Sequence, residues 1–172
     1  MIVQFFFFQG FNMKYSLIFC LLAAFSIQNS FAQQGLKATV ELSPAGSFEV
    51  TSNRIRGTAK ASGDGYTADQ LRVAVSSLVT GIEVRDQHLQ EKLKADGNVI
   101  VSNAVGKGGK GKAMLEMAGV KKPIEFSYKV QGKSLETDFQ VNLKDFGISG
   151  INYMGVGVKD TVSIKANIPV SQ

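Results

Sequence analysis

Four stretches hold residue types that could do chemistry. The first is Gly106-Lys107-Gly108-Gly109-Lys110-Gly111-Lys112-Ala113, close to the G-x-x-x-x-G-K loop that cradles phosphates. Ala113 stands where a hydroxyl would hold Mg²⁺, and Met114-Leu115-Glu116-Met117 reads as a strand, not as the helix whose N-terminus binds phosphate. A flexible hairpin loop is the reading these residues support. The second is His88, the only histidine; it cannot build a multi-histidine metal site, and no nucleophile motif accompanies it for a Ser–His–Asp arrangement. The third is the pair Arg85-Asp86 at the start of a polar segment, whose plainer role is a mutual or cross-strand salt bridge. The fourth is Cys20, the only cysteine, inside an apolar run and lacking the small residue that precedes a lipidated cysteine. No metal, no cofactor and no reaction follow from these residues.

Positioning elements come next. After a phenylalanine-rich start, Met13-Lys14 opens the apolar run Tyr15 to Phe25, which ends before Ser30-Phe31-Ala32. A positive start, an apolar stretch and small-x-small make a secretory signal peptide at 1–32, with Met13 as the expected true start and 33–172 as the mature domain. The run is about 11 residues, short of the roughly 20 that span a bilayer as a helix. The expected location is therefore periplasmic or secreted. Without a cysteine after Ala32, the core must hold the fold unaided. The chain carries a formal net charge of +5 with scattered lysines, a mild bias toward anionic surfaces and no nucleic-acid footprint.

Alternation with period two dominates the rest. Leu36, Ala38, Val40 and Leu42 alternate with polar neighbours, as do Ile124, Phe126, Tyr128 and Val130. The same holds for Leu135 to Leu143 and for Val162 to Ile168. Weaker versions run through Phe48–Ser52, Ile55–Ala61, Leu71–Val79, Val99–Ser102 and Lys112–Met117. Turn residues separate them, as in Pro44-Ala45-Gly46 and Gly63-Asp64-Gly65. The expected fold is all-β: an antiparallel lipocalin-like barrel of about eight strands, with one short helix near its mouth. That helix is Arg85 to Ala95, which has good helix formers and no β-branched residue. On a helical wheel Ile82, Leu89 and Leu93 share one stripe, with Asp86 roughly 40°, Arg85 roughly 60° and His88 roughly 120° from its centre. Alternation does not itself say which face is inside. An outer-membrane barrel would turn the apolar face to lipid, but the chain has no tryptophan and no aromatic girdle.

Ser77-Leu78-Val79-Thr80-Gly81-Ile82-Glu83-Val84-Arg85-Asp86-Gln87-His88-Leu89 resembles the YceI-like family of lipid- and polyisoprenoid-binding proteins, in its Ser-Leu-x-Thr-Gly strand end and Arg-Asp-x-His helix start. Gly119-Val120-Lys121-Lys122-Pro123-Ile124 is similar to that family's Gly-Val-x-Lys-Pro hairpin, and Asp145-Phe146-Gly147-Ile148 with Val156 to Val162 to its closing strands. The resemblance implies an exported barrel holding a long isoprenoid, such as a quinone tail, with Arg85, Asp86, His88 and Leu89 beside the pocket. Transient contact with a membrane surface fits such a ligand. Where the family usually has an aromatic-Pro pair this chain has Asp96-Gly97-Asn98, and its N-terminal half is shorter, which implies a smaller or closed tunnel. The residues expected to face inward against the tail are Val73, Val75, Phe126, Tyr128, Phe139, Val141 and Ile164. The competing reading is a structural or interaction barrel packed by its own side chains, without a ligand. Oligomeric state is not fixed by the sequence.

Overall fold

A computed structural model of the chain describes residues 34–153 and 155–171; the signal segment expected at 1–32 lies outside them. The strongly alternating segments become long strands: β1 (Gly35–Ser43), β8 (Val120–Gln131), β9 (Ser134–Asn142) and β11 (Val156–Ser171). Between them run β2 (Ser47–Ser52), β3 (Ile55–Arg56), β4 (Ala59–Ser62), β5 (Gly65–Ala74), β6 (Asn98–Lys107), β7 (Lys110–Met117) and β10 (Asn152–Tyr153). Antiparallel pairing runs β4–β5–β6–β7–β8–β9–β11. The ring of seven closes where the end of β11 meets β4 in parallel, Val170 opposite Ala59 and Ser171 opposite Lys60. β1 pairs along the other edge of β11, and β2 along β1. A bridge between Thr51 and Val79, with N–H to O distances of 2.8 and 3.0 Å, ties β2 to the segment leaving β5.

Which face is inside follows from charge. Lys37–Glu49 (2.9 Å), Lys112–Glu125 (3.0 Å), Lys165–Asp138 (3.3 Å) and Lys159–Glu41 (2.7 Å) are exposed ion pairs between neighbouring strands. Such pairs are costly against lipid and at home in water. The apolar sets, including Val40, Val73, Leu115, Val141, Val162 and Ile168, are buried. The apolar side of the wall is the inner one. Among the described residues no helix is long and apolar enough to cross a membrane.

Local departures from the expected strands have local causes. Ile55–Ala61 breaks into β3 and β4 at Gly57, whose φ of 106° is open to glycine. A Cβ there would also collide with the Gln70 carbonyl. In β5 both Asp69 and Gln70 are exposed, so the inward set changes from Ala68 to Leu71 and Val73. β6 changes with it, at Asn103, whose φ of 53° marks a bulge between the Ser102–Met114 and Val105–Lys112 pairs. Asparagine tolerates this left-handed conformation better than most side chains. The glycine-rich loop shrinks to a two-residue turn, Gly108-Gly109, both at positive φ, with Lys107 paired to Lys110. The rest of that motif is β6 and β7.

The helix α1 spans Glu83–Leu93, two residues earlier than its polar segment suggests, with Glu83 and Asp86 in its first turn and Lys92 in its last. It lies at the barrel end formed by the β1–β2 turn and the 147–155 segment. The turns 62–65, 107–110 and 131–134 form the opposite end.

Candidate functional site

The barrel is hollow. A cavity of about 1000 Å³ occupies its interior, at the upper end of the range of about 300–1,000 Å³ for ligand pockets. This rules out the fully packed interior and the closed tunnel entertained from the sequence. Ala38 and Ala166 line it, and small side chains there leave room that larger ones would fill. The deep wall is aliphatic and aromatic: Val73, Leu115, Phe126, Phe139, Val141 and Ile164 are representative. Thr137 is the polar side chain at depth among the described lining residues, and its hydroxyl donates to the Ala166 carbonyl at 3.1 Å. The deep wall thus presents almost no unspent hydrogen-bonding group, and an apolar guest meets no desolvated polar atom.

Polar groups appear at one end. Arg85, His88, Glu91 and Lys92 of α1 line the cavity there, with Asn152 of β10 across from them. Exposed apolar residues share this rim: Ile82 is 50% exposed, Val84 54% and Val156 39%. Because these residues are at once exposed and cavity-lining, this end is the mouth.

Arg85 is half-buried, and among the described residues no carboxylate pairs with it, contrary to the salt bridge expected for it. Instead its guanidinium lies 4.3 Å from the centroid of the Phe48 ring on β2. Stacking on an aromatic face suits a weakly hydrated planar cation and leaves its in-plane N–H donors unspent. Leu89 faces the cavity one turn on.

Asp86 is a correction. The helical wheel set it nearer the cavity than His88, yet His88 lines the mouth and Asp86 does not. One oxygen of Asp86 accepts from both the backbone N–H and the hydroxyl of Thr80, each at 2.6 Å. The side chain is turned back toward the chain entering the helix, where Ile82 offers no capping oxygen. Asp86 therefore supplies the anchor of the helix start that the N-cap position lacks.

Val75 and Tyr128 are corrections of the same kind. β5 ends at Ala74, and Val75 begins a 3-10 turn, Val75–Ser77, whose side chain is 1% exposed within the core and off the cavity wall. Tyr128 points inward but lies below the cavity, packed edge-on against Tyr66 with ring centroids 5.8 Å apart. Val73, Arg85, His88, Leu89, Phe126, Phe139, Val141 and Ile164 are brought together around one space.

Sequence reasoning missed Phe48 as the partner of Arg85, since nothing local links residues so far apart in the chain. It also missed a hydroxyl relay beneath the helix entry. Ser77 donates to the Ala74 carbonyl at 2.7 Å, and its oxygen lies 2.8 Å from that of buried Ser52. The Ser-Leu element of the motif is thus a structural fastening of β2 to the helix entry. No three His, Cys, Asp or Glu side chains gather to hold a metal among the described residues.

A family model described as the YceI-like domain matches residues 28–170. Among solved structures, BcnA of Burkholderia cenocepacia superposes with a TM-score of 0.60 at 14% identity, over 80% of this chain and 96% of that one. A polyisoprenoid-binding domain from Saccharophagus degradans, described as implicated in plant cell wall breakdown, gives 0.55 at 17% identity, over 78% and 91%. At these identities the two structures speak to the fold. No curated protein matches the chain.

Proposed function

The chain belongs to the YceI-like domain family, and from that premise we propose that it is a carrier or buffer for a long-chain isoprenoid, such as a quinone tail, or another amphiphilic lipid. The observation that carries this reading is the cavity of about 1000 Å³, apolar at depth apart from the spent Thr137 hydroxyl and charged at its mouth. That is the shape of an amphiphile turned inside out. The solved polyisoprenoid-binding domain of the same fold supports the choice of isoprenoid.

Magnitudes agree. If a carbon takes about the ~30 Å³ of a liquid water, a five-carbon unit takes about 150 Å³ and the space holds about six. At about 0.8 kcal/mol per buried carbon, each unit gains about 4 kcal/mol gross. Association costs roughly 4–15 kcal/mol, so about four units already offset the upper figure. The tail supplies affinity. The spare donors of Arg85, with His88 and Lys92, select the head group at the mouth. A titratable group is absent from the deep wall among the described residues, which favours binding over catalysis.

Export follows from the signal-like order at Lys14 to Ala32, so this reading places the carrier in the periplasm or outside the cell. The exposed Ile82 and Val84 make an apolar path from the rim into the cavity. A tail leaving a bilayer along that path would not cross water, which supports transient contact with a membrane surface.

The test is mass spectrometry of an organic extract of the purified mature protein and of Phe139→Asp. The parent is expected to yield a stoichiometric isoprenoid or long-chain lipid and the folded variant none, because an unpaired carboxylate in the apolar wall repels the tail. An empty parent in every preparation, or equal lipid in both proteins, contradicts the carrier reading.

A further inference from the structure

Depth inside the barrel can be followed strand by strand, since inward residues recur every second position, about 6.6 Å apart. On β8 Ile124 and Phe126 line the cavity, while Tyr128, the next inward residue, does not. On β9 the lining stops at Thr137, and Leu135 lies beyond it. On β6 it stops at Ala104, before Gly106, and on β5 at Leu71, before Ala68 and Tyr66. Thr137 pairs with Tyr128 and Ala104 with Ala68, so on β8–β9 and on β5–β6 the limit falls between paired residues, while on β11 the lining runs one step deeper, to Ile168 opposite Leu135. The cavity has a floor.

That floor is aromatic and rests on glycine. Tyr128 meets Phe126 at 6.3 Å between centroids and Tyr66 at 5.8 Å. A Cβ on Gly106 would stand 2.7 Å from the Tyr128 ring, and one on Gly111 would overlap the Phe126 ring. Gly106 and Gly111 are paired neighbours, so together they form a flat seat for the two rings. The glycines of the phosphate-loop lookalike serve this seat. Buried Ala59, Ala68 and Ala113 have few atoms with which to fill the space if a ring is removed, whereas Leu135 and Ile168 are the larger buried residues at this end.

We infer that Phe126, backed by Tyr128 on the glycine seat, is the residue that sets the length of hydrocarbon chain this barrel accepts. The inference rests on the carrier reading and adds a ruler to it. Phe126→Ala removes six carbons, about 180 Å³ at ~30 Å³ each, or about one five-carbon unit. Removing Tyr128 as well lowers the floor by about one unit more.

The experiment is a binding ladder of all-trans prenols of increasing length, begun at farnesol, measured on the delipidated parent, Phe126→Leu, Phe126→Ala and Phe126→Ala/Tyr128→Ala. Thermal melts accompany it to establish that each is folded. The parent should show a longest accepted chain, beyond which affinity stops rising. Phe126→Ala should move that limit up by one unit, with about a tenfold or larger gain for the first chain past the parent's limit. Phe126→Leu, the milder change, keeps the test available if the alanine variant does not fold, and should show a smaller gain for the same chain. An unchanged limit in folded Phe126 variants, with normal binding of shorter prenols, overturns the ruler and leaves the carrier intact. A parent that binds no prenol of any length overturns the carrier reading and the ruler with it.

Discussion

Replacing Asp86 by Ala separates an anchor of the helix from a ligand contact. The carboxylate accepts two hydrogen bonds from Thr80, both at 2.6 Å and both on one oxygen. Hydrogen bonds to charged groups contribute about 1.5–3 kcal/mol each, and loss of a helix cap about 0.5–2 kcal/mol. Asp86 is only half-buried, so water recovers part of what the Thr80 N–H loses, and sharing one oxygen makes the two bonds less than additive. The expected loss is about 2 kcal/mol, measured as a lower midpoint with unchanged slope in reversible urea unfolding. For a domain between the size classes usually tabulated, this is a fall in Tm of about 8 °C. Thr80→Val removes the hydroxyl and keeps the N–H, so a double-mutant cycle should show a coupling of about 1 kcal/mol. Lipid content per folded molecule should stay near that of the parent. A variant as stable as the parent, or one that loses lipid while keeping its midpoint, would refute the reasoning and return Asp86 to the rim.

Two further outcomes follow from the geometry. Arg85→Ala should alter which head groups are retained more than how tightly the tail is held, because the guanidinium sits at the mouth on Phe48 and not along the tail; a lipid profile identical to the parent's, by mass spectrometry, would leave Arg85 with packing alone. The Lys159 ammonium, hydrogen-bonded to Glu41 at 2.7 Å and attracting its charge, holds that carboxyl below the usual carboxylate range. A lowered folded-state value means a contribution present above the ordinary carboxylate pKa and lost as pH falls through the lowered one. The stability gap between parent and Glu41→Gln should therefore be small, since both groups are exposed, and should vanish in acid; a gap independent of pH would contradict the pairing.

The architecture was legible because most strands bury one face and keep the other wet, and period two records that directly. β8 and β11 are examples, with Ile124 and Phe126 or Val162, Ala166 and Ile168 inward and lysines outward. What alternation does not record is where a strand changes its inward set. Asp69-Gln70 and Asn103 each do so, and the cause is the pairing of neighbouring strands. Val75 was misplaced for a related reason: continuing Leu71 and Val73 by two steps passes the strand end at Ala74. Ideal helix angles put Asp86 near the cavity, because a wheel has no knowledge of Thr80. Phe48 beneath Arg85 is a long-range contact that no local pattern contains. Tyr128 has the right parity, but parity says nothing of depth.

The closing strand has a consequence for the order in which the molecule can form. β11 meets β1 on one edge and β9 on the other, and its end clasps β4; Gly35 pairs with Asn167, at opposite ends of the described chain. During synthesis from the N-terminus, β1, β4 and β9 each wait with a bare edge until β11 emerges. Pairings so distant in sequence form slowly, because a long loop must close before any contact rewards it. A growing polypeptide of this design stays unlocked until β11 has been made, the state in which a chain can still be threaded through a narrow pore.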